Sequence, residues 1–371
     1  MCTSLLYTDT AGRAYYGRTL ELSLDLPYRV LFLPAGTAIH SEIAGYAPVD
    51  YRTRYGLLGV AMPRRVPTAE APATLDDLKV LEGLNEKGLT FSLLSYPQAD
   101  GPQAEMAAAT AVLSATDLGS WALGQFATVA EVKAALATQP IRMEPLAILG
   151  GLVSPFHYVV HDAGGASLVF EFHHGRMSVH ENPVGVMTNA PQFDWHLTNL
   201  ANYSFLSNVD QSRGVLNGFA VTQPGSGIAT AGLPASNTSP DRFIRAVYYS
   251  AFAEKAADPD GAVRMLAHVM NNFDRPRGIT IDPPDTGSSH LAVQGANPGL
   301  EGKVPTEFTS WTSLADLDRR RLYLRDHRAL AYVGFDLAAL AGAGQPMVLP
   351  FSGLDTPILD ATATLKAHAV A

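Results

Sequence analysis

Apolar residues recur in short runs of two periods, separated by Gly, Pro and Asn. Residues 3–9 (TSLLYTD) and 14–20 (AYYGRTL) flank an Ala11-Gly12 turn and predict an N-terminal hairpin. Further strands are expected at 28–33 and 89–94. Between 156 and 188 the runs HYVVHD, SLVFEFH, MSVHE and GVMT, broken at Gly164-Gly165 and Gly175, read as a meander. Helices are expected at 104–127, 128–137, 240–256 and 259–273. Thr128 with Glu131 forms a capping box, and Ser239-Pro240-Asp241 supplies an N-cap, a proline at the first helical position and an acid in the first turn. Residues 63–72 and 281–308 are rich in Pro or Gly and read as loops, and strands return at 308–315 and 320–326. Strand blocks built of hairpins, alternating with helix blocks, suit antiparallel sheets covered by helices better than a βαβ array.

Composition narrows the class. Of the 371 residues, 47% are hydrophobic and 16% charged, as expected of a globular chain that buries a sizeable core. The net charge of −9 argues against a nucleic-acid groove, and the one dense basic run, Arg319-Arg320-Arg321, is too short for a footprint. The apolar stretch 105–127 is interrupted by Asp117 and reads as core helix, so no membrane partner is expected. Residues 1–10 carry neither a basic nor a long apolar segment. This fits a cytoplasmic chain if complete, or a periplasmic one written without its leader. A single cysteine excludes an intrachain disulfide and leaves the compartment open.

That cysteine is Cys2, directly behind Met1. Trimming of Met1 would leave a thiol and a free α-amine on one residue: a nucleophile, and a base titrating at roughly 7.7–8.0. The hairpin returns the second strand to the level of Cys2 near Arg18, Thr19, Leu20 and Glu21. A guanidinium near the sulfur favours thiolate, and a carboxylate near the amine would hold it. Arg18 and Glu21 are three apart, so alternation puts them on opposite faces, and both reach Cys2 only where the strand bulges or ends. Asn189 closes a strand in GVMTNAPQFDWH, where its amide could serve an oxyanion or simply a turn. Arg242 sits in the first turn of a helix, unfavourably for the dipole, which calls for a partner. Other signals fail. His157 and His161 would share a strand face about 13 Å apart, and His173 and His174 would point to opposite faces, so no metal is expected. Gly225-Ser226-Gly227 lacks the third glycine of a dinucleotide fingerprint, and there is no G-x-S-x-G elbow. The three Trp and the Tyr15-Tyr16 and Tyr248-Tyr249 pairs suit core or pocket wall.

Four segments, MCTSLLYTDTAGRAYYGRTLEL, LEGLNEKGLTFSLLSYP, GVMTNAPQFDWHLTNL and SPDRFIRA, occur in this order. Together they resemble the choloylglycine hydrolase and penicillin V acylase family of N-terminal-nucleophile hydrolases. The resemblance runs from Cys2 to about Leu324. It implies an α+β fold, a four-layer αββα sandwich of two mainly antiparallel sheets, as one domain over 1–371. The core would span about 2–326, with a C-terminal extension at 327–371. It implies hydrolysis of a linear C–N amide bond in an N-acyl compound, a conjugated bile salt or penicillin V, through a thioester, without cofactor or metal, often as a homotetramer. The family's nucleophile falls on Cys2, its arginines on Arg18 and Arg242, and its oxyanion asparagine on Asn189. Two positions depart: Glu21 stands for an aspartate, and Ser95 for the second oxyanion asparagine of the bile-salt enzymes. The Ser95 departure argues against a close copy of those enzymes and leaves open an N-acyl-homoserine lactone acylase on the same scaffold. A non-catalytic bile-acid or lipid binder is a further alternative. Leu20, Leu24, Leu26, the Leu33-Pro34 segment and loops near 58–66 and 138–145 are the candidates for an acyl pocket.

Overall fold

Asp9 shapes the first turn: its Oδ1 accepts the N–H groups of Ala11 and Arg13 at 2.9 and 3.0 Å, and Gly12 takes a φ of 77°. The computed structural model describes residues 1–102, 106–281, 306–354, 356–358 and 360–367. In chain order its main strands are β1 (Cys2–Thr8), β2 (Ala14–Leu22), β3 (Arg29–Leu33), β4 (Leu57–Pro63), β5 (Leu78–Asn85), β6 (Thr90–Ser95), β7 (Phe156–His161), β8 (Ser167–His173), β9 (Arg176–Glu181), β10 (Val186–Met187), β11 (Phe308–Asp316), β12 (Arg321–Asp326), β13 (Val333–Asp336) and β14 (Met347–Pro350). The helices used below are α1 (Leu118–Gln125), α2 (Val129–Leu136), α3 (Phe193–Leu200), α4 (Ser239–Phe252) and α5 (Pro259–Met270).

Two antiparallel sheets carry the fold. One has six strands in the order β10-β1-β2-β11-β12-β13, the other eight in the order β9-β8-β7-β6-β5-β4-β3-β14. Helices α4 and α5 pack on the outer face of the first sheet, and α1 and α2 on the second, giving αββα layers. β2 therefore has cover on both faces and is buried along its whole length. Gly17 lets α5 come close, since a Cβ there would lie 2.8 Å from Met270 Sδ. The inner faces of the two sheets meet through one apolar cluster and, within it, through Tyr16, Arg18 and Glu82.

The first hairpin, the 28–33 strand and helices α4 and α5 stand where the sequence pattern predicts them, but the N-cap position of α4 falls to Thr238, and Ser239, expected there, is the first helical residue with its hydroxyl turned to Asn189 N–H. Helix α2 has the expected cap: Thr128 Oγ1 accepts from Glu131 N–H at 3.2 Å, and Glu131 reaches back to the N–H of Ala127. The expected helix at 104–127 is corrected. Leu113–Ser114 pairs in parallel with Ile141–Arg142 as a short strand, Ser114 N–H also bonds Ser41 Oγ, and Ser114 Oγ caps the turn that leads into α1. Helix propensity in an Ala-rich run without an apolar stripe does not outweigh such tertiary bonds. The last run of the expected meander crosses over: β10 pairs β1 in the other sheet. Most of the expected 281–308 loop lies outside the described residues. Beyond residue 326, β13 extends the first sheet and β14 the second, by pairing with β3.

Candidate active site

Register places the thiol. Cys2 lies opposite Leu20 and Ser4 opposite Arg18, so Cys2 and Arg18 are diagonal neighbours on the inner face of the β1–β2 pair. Arg18 Nη2 stands 3.5 Å from Cys2 Sγ, and both residues are buried. Both terminal nitrogens of the guanidinium are held, while its buried Nε has no partner. Nη1 donates to Glu82 Oε2 at 3.1 Å, Nη2 to the Leu93 carbonyl at 2.6 Å, and the cation lies 4.8 Å over the Trp311 ring. Burial alone would press the Arg18 pKa down, but Cys2 and Glu82 beside it raise it. Glu82 also accepts from Tyr16 Oη at 3.2 Å. Burial pushes the Glu82 carboxyl above its ordinary range, against the pull of Arg18. Glu82 is a site neighbour that sequence reasoning missed, whereas Tyr16 and Trp311 belong to residue groups it read as core or pocket wall. Nothing in LEGLNEKGL, which holds both Glu82 and Glu86, shows that Glu82 faces an arginine from another sheet.

Glu21 occupies the other face. A bulge is present, but in the partner strand: Glu21 pairs with Thr309 and Leu20 with Trp311, so β11 carries an extra residue. Within β2 the alternation persists, and Arg18 alone reaches the sulfur. Glu21 Oε1 accepts from Thr309 Oγ1 at 3.1 Å. Burial raises its pKa, opposed by the terminal amine and by Arg242. Met1 continues β1: its amine donates to the Glu21 carbonyl at 2.5 Å and lies 3.6 Å from Glu307 Oε1.

Asn189 and Arg242 meet at the backbone of Cys2. The Cys2 N–H donates to Asn189 Oδ1 at 2.8 Å, and Arg242 Nη2 donates to the same oxygen at 2.7 Å. Two donors on one oxygen fix the amide orientation, and Nδ2 donates to the Ser95 carbonyl at 2.8 Å. Arg242 Nη1 donates to the Cys2 carbonyl and to Thr3 Oγ1, and Nε to the Asn237 carbonyl. The partner that its position in α4 called for is thus a set of oxygens around Cys2.

The Thr188-Asn189 segment is held from several sides. Asn189 N–H donates to Ser239 Oγ at 2.8 Å, and His157 Nε2 donates to the Thr188 carbonyl at 3.0 Å. His196 Nε2 donates to the Asn189 carbonyl at 2.8 Å, which leaves Nδ1 unprotonated and without a partner. Burial lowers the His196 pKa to about 4. His157 and His196 thus buttress a strand end, a role their spacing does not reveal. His173 and His174, expected on opposite faces, come together with ring centroids 3.9 Å apart because His174 turns at a φ of 50°. Among the described residues no group of three or more His, Cys, Asp or Glu could hold a metal ion, and no helix is long and apolar enough to cross a membrane.

Cys2 and Arg18 open on an apolar cavity of about 40 Å³ lined by Leu20, Leu26, Tyr28, Leu93, Leu149 and Phe156, with Ser95 and Glu21 also in its lining. Leu20 and Leu26 stand where the acyl-pocket reading put them. Leu24 instead packs against the core outside this lining, as does Leu33. Of the expected loops, Met62 reaches the cavity and nothing from 138–145 does.

Four αββα layers with a cysteine at the start of the first central strand define the N-terminal-nucleophile hydrolase fold. The chain matches the model of the linear amide C–N hydrolases, choloylglycine hydrolase family, over residues 2–340, and belongs to that family. It is 28% identical to the conjugated bile acid hydrolase of Lactobacillus acidophilus over 306 residues, covering 80% of this chain and 88% of the relative. Among solved structures it resembles the conjugated bile acid hydrolase of Clostridium perfringens, with a TM-score of 0.75, 23% identity and coverage of 94% and 96%. It also resembles the penicillin V acylase of Agrobacterium tumefaciens, with a TM-score of 0.68, 22% identity and coverage of 92% and 87%. The protein is a linear amide C–N hydrolase.

Proposed function

We propose that Cys2 is the nucleophile of this hydrolase and that its α-amine, freed by removal of Met1, is the base. The observation that carries this reading is the setting of Cys2. Its sulfur lies 3.5 Å from Arg18 Nη2 on an apolar cavity, while its nitrogen is held 2.8 Å from Asn189 Oδ1. The amine takes the thiol proton and the thiolate attacks the amide carbon. The C–N bond then breaks, and the departing amine takes the proton back. Water, deprotonated by the same α-amine, hydrolyses the thioester. Asn189 Nδ2 carries two hydrogens, one of them used by Ser95, and the second is assigned to the oxyanion, a donor typically worth about 3–4 kcal/mol. Arg242 holds the Cys2 carbonyl, and Glu21 adds a negative charge that the terminal amine and Arg242 both feel.

The substrate is an N-acyl amide with an apolar acyl group, in the class of the conjugated bile acids and penicillin V named for its relatives. A cavity of about 40 Å³ favours a linear chain, which supports the second reading, an N-acyl-homoserine lactone acylase. The chain is read as one domain, supported by the single apolar cluster that joins both sheets, and as a homotetramer. A hairpin over 213–222 leaves Val215, Leu216 and Phe219 exposed, as an assembly surface requires. The decisive test is Cys2→Ala, which should abolish amide turnover of glycocholate, taurocholate, penicillin V and acyl-homoserine lactones. Full activity would sink the mechanism, and so would an active preparation whose mass retains Met1. Ligand binding without turnover, and no labelling of Cys2 by a thiol reagent, would favour a binding protein.

A further inference from the structure

The family match ends at residue 340, yet the chain beyond it reaches the site. β14 adds to the edge of the eight-stranded sheet beside β3, and Phe351 N–H then donates to the Tyr28 carbonyl at 3.3 Å. The Phe351 ring lies 5.7 Å from Tyr28 and 6.4 Å from Trp311, which in turn carries Arg18 on its face. Phe351 and Ser352 line a cleft of about 440 Å³ together with the apolar Val66, Ile148, Leu26 and Tyr28 and the charged Asp25, Arg29 and Arg328. Leu26 and Tyr28 also line the cavity at Cys2, so the two spaces share a wall. Their sizes differ tenfold. The inner one, about 40 Å³, is well below the roughly 150 Å³ that admits a benzene ring. An acyl group longer than a few carbons therefore has to continue elsewhere, and the larger cleft lies directly behind Leu26 and Tyr28.

We propose that the segment Met347–Ser352 is part of the substrate site: with Val66 and Ile148 it forms a second, outer subsite that takes the far end of a medium- or long-chain acyl group past Leu26 and Tyr28. This rests on the reading of Cys2 as the nucleophile only for which end of the acyl group faces inward. Phe351 and Ser352 are then specificity-determining residues with no contact to the reacting atoms.

Ser352 is exposed, so Ser352→Trp fills the cleft without disturbing the core. Calorimetry with dodecanoate and butanoate tests the subsite without any turnover. Dodecanoate should bind more tightly than butanoate, and Ser352→Trp should weaken dodecanoate about tenfold by excluding about two methylenes. Kinetics on p-nitroanilides from acetyl to dodecanoyl should show the same fall in the long-to-short ratio of kcat/KM, and Phe351→Ala should shift that ratio as well. Dodecanoate binding that is absent, or unchanged within about twofold in Ser352→Trp, overturns the subsite. Loss of anilide turnover in the wild type while dodecanoate still binds at Ser352 would strike the Cys2 mechanism instead.

Discussion

The sharpest test of how the thiol is supported uses Glu82. Both members of the Arg18–Glu82 pair have fully buried side chains, 3.1 Å apart. In Glu82→Leu the Arg18 cation keeps the Leu93 carbonyl, the Trp311 face and the thiol, but loses its one carboxylate. Removing one partner of a buried ion pair costs about 3–5 kcal/mol, because the charge left behind is uncompensated. The converse variant, Arg18→Met, should cost less, about 1–3 kcal/mol, since a buried carboxyl can take up a proton and remain as a neutral acid. The double variant removes both charges and should recover most of the loss, giving a coupling energy of about 2 kcal/mol or more in a double-mutant cycle. Urea unfolding followed by tryptophan fluorescence measures all three. A second readout separates electrostatics from packing. With Glu82 gone, the Arg18 charge acts on Cys2 alone, so the pH at which iodoacetamide alkylation reaches half its maximal rate should move down. A loss below about 1 kcal/mol in Glu82→Leu, strictly additive singles, or an unmoved alkylation profile would refute this account of the pair.

Two further outcomes follow from the clamp around Asn189. His196 is buried neutral with a pKa near 4, below the unfolded value of about 6.5, so the unfolded chain binds the extra proton first. Its contribution is complete above pH 6.5 and is lost as pH falls towards 4, up to about 3 kcal/mol, whereas His196→Leu should flatten that slope in urea melts between those pH values. Equal slopes in the two proteins would exclude His196 as the source. Asn189→Ala should lower kcat by about a hundredfold to a thousandfold, with a smaller change in KM, if its amide serves the oxyanion. A variant that lost only affinity would give Asn189 a purely structural place.

Local signals made much of the first hairpin, helix α2 and helices α4 and α5 legible. The Ala11-Gly12 turn and the Thr128–Glu131 box work within a few residues, whereas the Ser239 cap does not, because its hydroxyl is taken by the Thr188-Asn189 segment. Arg18 was legible because one tight turn fixes the register that sets it diagonal to Cys2. The places of Glu82, Trp311 and Phe351 at the site were not, because each meets it across a sheet boundary or from a strand more than 60 residues away. The short strand at Leu113–Ser114 shows the same limit, since its partner is Ile141–Arg142, beyond helix α2. Leu24 shows the reverse: it shares composition and neighbourhood with Leu20 and Leu26 but packs into the core beside the cavity.

A strand also explains how one residue can offer two functional groups to two different environments. The Cys2 side chain leaves the inner face and enters the space between the sheets. There β2 supplies Arg18, β5 supplies Glu82 and the surroundings are apolar. The Cys2 backbone nitrogen and carbonyl lie in the plane of the sheet, where β1 begins. They meet Asn189, from the segment after β10, and Arg242, which enters from α4 on the opposite face. Thiol and nitrogen are therefore tuned by separate layers. Charge around the sulfur is set by an ion pair between sheets, and the position of the nitrogen by uncharged oxygens between a helix and a strand end. That separation fits the Glu21 departure. Its longer side chain bonds Thr309 on the outer face and makes no contact with the sulfur, so an extra methylene there alters the surroundings of the nitrogen and leaves the Arg18 side of the thiol unchanged.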